Sequence, residues 1–386
     1  MTATAAPVHL KPSDALPEII SPSILAKFEE DKKGLKLKGT LIGLSKATLH
    51  KVIEEAQRLS TDTVVRTTGV ISCIDSDLFI FKIEEDKKTL KFHIIRYSKW
   101  EELGRGSLSI VKKVLLISEA RFVPFKTMLV DSGEAENSDS FLTKFEGITT
   151  EYEMGHAINE QGEHPGLQGM PITWINIRRP NKRPIIGIVG KEIYPKDMSI
   201  WVLEKRLAKK TFNPKYHVYV CKLLMEAVSE IWSRGFSHGE LKLHNVFIDF
   251  AGFLKIGDFE TVRRHKEVNK VKQYALRKFT SRYIALYDHL FLNADKKESN
   301  EKEFIESCKA LDVFATGIIM FNILALDYPY QLDSSKSYCE GPLIEPDILK
   351  IHYSPAVINL VKSMINLLPT ARIKLESSAE RWKDMK

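Results

Sequence analysis

The feature that most constrains the fold is the stretch HGELKLHNVFIDFAGFLKIGDFE at residues 238–260. Two short apolar segments, VFI and FLKI, flank a glycine-containing turn, which is the pattern of a β-hairpin. A hairpin brings its two ends together, so Glu240, Lys242 and Asn245 are predicted to lie close to Asp258. The simplest interpretation is a plain hairpin with polar ends.

These four side chains also form a set that is suited to phosphoryl transfer. Carboxylate and amide oxygens are the ligands that Mg²⁺ prefers, so Asp258 and Asn245 are candidate metal ligands. The second carboxylate, on Glu240, can take the proton of an attacking hydroxyl, and Lys242 can stabilise the moving phosphoryl group. The residue types therefore predict chemistry on a phosphate group.

The stretch resembles the catalytic and metal-binding loops of protein kinases, His-Arg-Asp-x-Lys-x-x-Asn followed by Asp-Phe-Gly. The spacing from His238 to Asn245 and on to Asp258 suits that family. The resemblance implies an α+β, bilobal fold with a strand-rich upper lobe and a helical lower lobe. It also implies ATP and Mg²⁺ as cofactors and a protein substrate or signalling partner. Lys242 and Thr280 match the Ser/Thr type of kinase rather than the Tyr type.

Further motifs of the upper lobe precede this stretch. LGRGSLSIV at 103–111 resembles the glycine-rich phosphate loop: Gly104, Gly106 and Val111 match, and Ser109 replaces the third glycine.

Lys126 stands where the family has its strand lysine, which pairs with the α- and β-phosphates. Pro124, two residues earlier, departs from the small residue that the family places over the adenine. The lysine needs a glutamate on the next helix. Glu151 has the expected register, and Glu153 is the alternative.

The segment IGIVGKEIYPKDM at 186–198 resembles the hinge strand. That similarity places Gly190 near the gatekeeper position and puts Lys191 to Ile193 against the adenine, so Lys191 and Ile193 are cofactor-binding candidates.

Three motifs follow the catalytic stretch. FTSRYIALYDHL at 279–290 resembles T-x-x-Y-x-A-P-E, although Leu286 and Tyr287 replace the Pro-Glu pair. Asp312 matches the aspartate of the buried helix that braces the catalytic loop. Arg372 matches the arginine that normally pairs with the missing glutamate, so it must find another partner or stay solvated.

Three departures affect the chemistry. Glu240 replaces the catalytic aspartate, Glu260 replaces the glycine after Asp258-Phe259, and Gly239 replaces the arginine that docks an activation-loop phosphate. The Glu260 carboxylate can recruit a metal, neutralise Lys126 or point away. Two interpretations stay open: a Ser/Thr kinase with Glu240 as its base, or a pseudokinase that binds nucleotide without efficient transfer. Small-molecule phosphotransfer is a third, less favoured class.

The rest of the chain is predicted to comprise a flexible tail (1–22), an N-terminal α/β extension (23–97), the kinase upper lobe (98–193) and the lower lobe (194–386). The extension could dock partners, inhibit the kinase or pack on the upper lobe, and its strands, directly before the glycine-rich loop, favour packing. The apolar run at 313–326 is fourteen residues long, too short to span a bilayer, and predicts a buried helix.

Composition adds a few limits. The net charge of +7 does not argue for a nucleic-acid partner. The four cysteines are far apart, which favours a reducing, cytoplasmic location, with delivery into another cell left open. Residues 263–278 carry seven Lys or Arg against one Glu, so an acidic substrate or partner is one hypothesis and a solvated charged loop is the other. The sequence leaves the oligomeric state open.

Overall fold

A computed structural model gives the fold of this chain. It describes residues 22–38, 40–41, 44–61, 69–75, 78–86, 89–96, 101–131, 134–179, 182–208, 213–267, 283–285, 288, 301–330 and 338–385. Several sequence predictions lie outside these ranges: residues 1–21 of the tail, Thr280, Leu286, Tyr287 and residues 268–278 of the basic segment. The chain divides into two compact units, Met1–Gly133 with Thr173–Val189, and Glu134–Ile172 with Gly190–Lys386.

The first unit is rich in strands. Its described elements are α1 (Pro22–Leu25), β1 (Phe28–Asp31), β2 (Gly34–Leu37), β3 (Thr40–Leu41), α2 (Lys46–Thr61), β4 (Gly69–Asp75), β5 (Leu78–Asp86), β6 (Thr89–Arg96), β7 (Glu102–Arg105), β8 (Ser109–Leu116), β9 (Arg121–Met128), β10 (Thr173–Arg179) and β11 (Lys182–Val189). Among the described strands, one antiparallel sheet has the order β10-β11-β9-β8-β6-β5-β4, and β7 also pairs with β8.

The extension and the strands that follow it share this sheet. β6 pairs with β8, with Ile95 opposite Leu116. They also share a core, whose buried members come from β2, α2, β8 and their connections: Leu35, Leu37, Leu44, Leu49, Val52, Leu115, Ile117 and Ala120. Residues 28–96 therefore supply both sheet and core to this unit, while the exact domain boundaries stay predictions.

The second unit is mainly helical. Its described elements are α3 (Asp139–Asn159), β12 (Lys196–Asp197), α4 (Met198–Ala208), α5 (Pro214–Ser233), β13 (Phe236–Ser237), β14 (Val246–Ile248), β15 (Leu254–Ile256), β16 (Arg263–Arg264), α6 (Glu301–Ala325), α7 (Asp347–His352), α8 (Pro355–Met364) and α9 (Leu375–Asp384). A strand-rich unit and a helix-rich unit confirm the predicted α+β class.

Helices α5 and α6 form the centre of the second core. The apolar stripe of α5 is buried, and Pro214 occupies the first turn, where a missing amide N–H costs nothing. Every residue of α6 from Leu311 to Ala325 is buried. By length and composition α6 could cross a membrane, but 83% of its most apolar window is buried inside the protein. The apolar run is therefore a core helix, as predicted.

Candidate active site

The two ends of the predicted hairpin meet. β14 pairs with β15 in antiparallel register, with Val246 opposite Ile256. Beyond this pair, the Gly257 amide donates a hydrogen bond to the Asn245 carbonyl at 3.0 Å. Asn245 and Asp258 therefore lie at the same end of the hairpin.

Hydrogen bonds connect Glu240, Lys242 and Asn245 in the loop before β14. Lys242 Nζ lies 2.7 Å from Glu240 Oε1, and the two side chains are 19% and 16% exposed. The Glu240 carbonyl accepts a hydrogen bond from Asn245 Nδ2 at 2.9 Å. Because the amide nitrogen of Asn245 is used in this way, its Oδ1 is the atom that can act as a metal ligand.

A buried aspartate on α6 holds the backbone of the same loop. Asp312 accepts hydrogen bonds from the amides of His238 at 2.9 Å and Gly239 at 3.0 Å. It also accepts one from Trp232 Nε1 at 2.9 Å. Burial raises the pKa of the Asp312 carboxyl, while these donors favour its charged form. The bracing role expected for Asp312 is therefore present in the structure.

His238 is fully buried behind the loop, and burial lowers the pKa of its imidazole. Its Nε2 lies 3.2 Å from the Gly257 carbonyl, and its Nδ1 can accept a long hydrogen bond from the Glu240 amide at 3.4 Å. Both contacts fit a neutral ring that carries its proton on Nε2. His238 thus links the loop to the residue that precedes Asp258.

Gly239 has φ of 78°, a left-handed backbone conformation that favours glycine. The position that holds arginine in the family pattern is therefore shaped here for a residue without a side chain.

The residues after β15 bring the carboxylate of Glu260 close to the carboxylate of Asp258. Asp258 has φ 62° and ψ 67°, and Glu260 lies in a single 3-10 turn, Phe259–Thr261. Carboxylate oxygens of Glu151, Asp258 and Glu260 all lie within 4.8 Å of one another. Such an oxygen set could hold a divalent cation, so Glu260 does not point away from the predicted metal ligand.

Glu260 also fits against α3. A Cβ built on Gly147 would lie 2.3 Å from Glu260 Oε1, so glycine at this position leaves room for the carboxylate. Of the two candidates on α3, Glu151 is buried and Glu153 is exposed. This burial fits the preference for Glu151, whose pairing with the strand lysine stays a prediction.

The nucleotide-binding candidates of the upper lobe belong to the first unit. Gly104 on β7 lies opposite Val111 on β8, and the Gly106 amide bonds to the Ser109 carbonyl at 2.9 Å, so the two glycines lead into a tight turn. Lys126 lies on β9 between two buried residues, Phe125 and Thr127. Because side chains alternate along a strand, Lys126 is on the face of the sheet opposite to theirs.

The hinge candidates follow β11, which ends at Val189. Lys191 Nζ makes a salt bridge to Glu163 at 2.7 Å, and both side chains are more than one-third exposed. Ile193 is half-buried. The contact of Lys191 and Ile193 with an adenine stays a prediction.

Arg372 has a partner that the sequence reasoning missed. Its guanidinium makes a salt bridge to Asp288 at 2.8 Å, and the two side chains are 1% and 4% exposed. It also donates a hydrogen bond to the Ala310 carbonyl at 2.6 Å. Asp288 directly follows Tyr287, so an acidic residue one position beyond the missing glutamate was the available signal.

The family model for the protein kinase domain matches residues 97–382. This chain belongs to the protein kinase family. One similar protein is the serine/threonine-protein kinase CHK1 of Mycosarcoma maydis, which is 27% identical over 172 residues. That match covers 43% of this chain and 24% of the relative, so the chain aligns with about a quarter of the curated relative's length.

The family assignment confirms the resemblance and the fold class expected from the sequence. In this chain, the second unit brings together Glu240, Lys242, Asn245 and Asp258, with Glu151 and Glu260 beside Asp258. The catalytic and cofactor-binding roles of individual residues stay predictions.

Proposed function

We propose that this kinase binds ATP with Mg²⁺ and transfers the γ-phosphoryl group to a Ser or Thr hydroxyl of a protein substrate. The supporting observation is the bonded loop, in which Glu240 contacts Lys242 through its side chain and Asn245 through its carbonyl. A loop bonded in this way presents a base, a cation and a metal ligand from one short segment.

Each residue has a defined role in the proposal. Glu240 takes the hydroxyl proton, and Lys242 orients that carboxylate and stabilises the phosphoryl group. Asn245 Oδ1 and Asp258 hold Mg²⁺, which neutralises charge on the phosphates. Lys126 pairs with the α- and β-phosphates. Carboxylate oxygens of Glu151, Asp258 and Glu260 lie within 4.8 Å of one another, which supports a cation site at Asp258.

A second candidate is a nucleotide-binding scaffold without efficient transfer. Glu240 carries its carboxylate one methylene further than an aspartate, and a misplacement of about 1 Å can cost on the order of 10²-fold in rate. The extra carboxylate of Glu260, beside the predicted metal ligand Asp258, supports this alternative.

A phosphotransfer assay on the purified full chain distinguishes the two, with the melting shift in ATP and Mg²⁺ measured in parallel. If the chain is an enzyme, transfer is abolished by Lys126→Ala and kept by Lys113→Ala on the neighbouring strand. If it is a scaffold, ATP shifts the melting temperature while the wild type and Glu240→Asp both fail to transfer. The absence of any nucleotide-induced shift would contradict both candidates.

The substrate preference is a separate hypothesis. The basic residues that begin at Arg263 support an acidic substrate or partner. A peptide-library screen tests it, and equal use of acidic and neutral peptides would contradict it.

A further inference from the structure

The connection between α3 and β10 runs alongside β15, directly before the predicted metal ligand. The Ile256 amide donates to the Gly166 carbonyl at 2.8 Å, and the Gln168 amide donates to the Ile256 carbonyl at 2.7 Å. Leu167, between them, forms a parallel bridge with Ile256. The backbone of residues 166–168 is therefore fixed against the strand that leads to Asp258.

Gln168 extends this connection with its side chain. Its Oε1 accepts a hydrogen bond from the Asp258 amide at 3.2 Å. Its carbonyl accepts one from Asn159 Nδ2, also at 3.2 Å, and the same nitrogen bonds to the Gly155 carbonyl at 2.8 Å. Gln168 thus joins the last turn of α3 to the backbone of Asp258.

The backbone around this contact is adapted to it. A Cβ built on Gly257 would lie 2.1 Å from Gln168 Oε1, so only glycine lets the amide oxygen approach. Asp258 has a left-handed backbone, with φ 62° and ψ 67°, which is unfavourable for a residue with a side chain. Such a conformation persists only when its surroundings hold it in place.

We propose that Gln168 is a positioning residue that holds Asp258 in the conformation needed to bind the metal. This inference rests on the proposed function, in which Asp258 is a ligand of Mg²⁺. In this proposal Gln168 acts on the metal ligand through its contact with the Asp258 amide. Outer partners that orient a metal ligand commonly change metal affinity by about 10- to 100-fold when they are replaced.

The test compares three variants of the full chain. Gln168→Met keeps the length of the side chain and removes the acceptor, whereas Gln168→Glu keeps an acceptor oxygen. Gln161→Met makes the same chemical change at an exposed residue of the same connection and serves as the control. Two quantities are measured: amide hydrogen exchange of the peptide 257–260 without ligand, and the Mg²⁺ concentration that gives half of the ATP-induced melting shift.

The proposal expects faster exchange at residues 257–260 in Gln168→Met, with Gln168→Glu and the control close to wild type. It also expects Gln168→Met to raise the half-maximal Mg²⁺ concentration by about tenfold. Unchanged exchange in Gln168→Met would overturn it. So would exchange that rises equally in α6, because that result indicates a general loss of stability. If the wild type shows no shift with ATP and Mg²⁺, the proposed function fails, and the exchange data still decide whether Gln168 holds Asp258.

Discussion

The loop at residues 238–245 has two sides that differ in burial and charge. Behind it, Asp312, His238 and Trp232 are buried and bonded to one another or to the loop backbone. On its other side, Glu240 and Lys242 are charged and partly exposed. Two of the departures from the family pattern, Gly239 and Glu240, lie in this loop. Asp312 binds backbone amides, so its contacts do not involve the side chains of Glu240 and Lys242. We therefore expect a substitution of Asp312 to act mainly on stability and a substitution of Lys242 to act mainly on chemistry.

The largest effect on stability is expected when Asp312, which holds the loop backbone, is replaced. Replacing Asp312 by Ala leaves three N–H donors, two of them buried, without their acceptor, and each buried loss costs about 1–3 kcal/mol. We expect the free energy of unfolding to fall by about 5 kcal/mol in urea titrations.

The exposed Asp327 is the matched control, since Asp327→Ala removes a surface salt bridge to Arg206 that is worth less than about 1 kcal/mol. If Asp312→Ala does not fold, Asp312→Asn keeps one acceptor and should show a smaller loss. An effect of Asp312→Ala no larger than that of Asp327→Ala would mean that the hydrogen bonds of Asp312 do not stabilise the fold.

The next largest effect is expected at the buried salt bridge between Arg372 and Asp288. Asp288→Ala leaves a buried guanidinium without its anionic partner and should cost about 3 kcal/mol. The double variant with Arg372→Met should lose less than the sum of the two single variants, because it removes both buried charges. A double-mutant cycle with urea measures the coupling, and additive losses would contradict the pairing.

The sequence predicted the local and repetitive parts of this structure well. The hairpin and the buried helix α6 follow from short-range sequence patterns, and the bracing role of Asp312 was expected from the resemblance to protein kinases. The partner of Arg372 was missed because the contact joins residues far apart in the chain. In addition, the acidic residue, Asp288, stands one position after the glutamate of the family pattern. The approach of Glu260 to Gly147 and the contact of Gln168 with Asp258 were missed for the first of these reasons.

We expect lower pH to reduce the stability of the folded protein through His238, the buried histidine of the loop. Burial lowers the pKa of His238, so the folded protein binds fewer protons there than the unfolded chain between the two pKa values. Stability should therefore fall as the pH drops below about 6.5, by up to about 1.4 kcal/mol per pH unit. Asp312 and Asp258 oppose this shift and Lys242 adds to it.

The measurement is the free energy of unfolding of wild type and His238→Gln between pH 7.5 and 5.5. Other described histidines with lowered pKa values contribute to both proteins, so the difference in slope isolates His238. Identical slopes would show that its protonation does not limit stability in this range.

The smallest effect on stability is expected on the chemical side, at Lys242. Lys242→Met breaks a partly exposed salt bridge and should cost less than about 1 kcal/mol of unfolding free energy. Lys362→Met is a suitable control, because Lys362 also forms a partly exposed salt bridge, with Glu345, and lies on α8 outside the loop. If the chain transfers phosphate, Lys242→Met should lower the rate by about 10²-fold and Lys362→Met should not. A loss of several kcal/mol in Lys242→Met would contradict this prediction, because it would show that the charged side chains of the loop also stabilise the fold. A small loss of stability with a large loss of transfer would place the function of this loop in its charged side chains, while Asp312 holds the loop backbone in position.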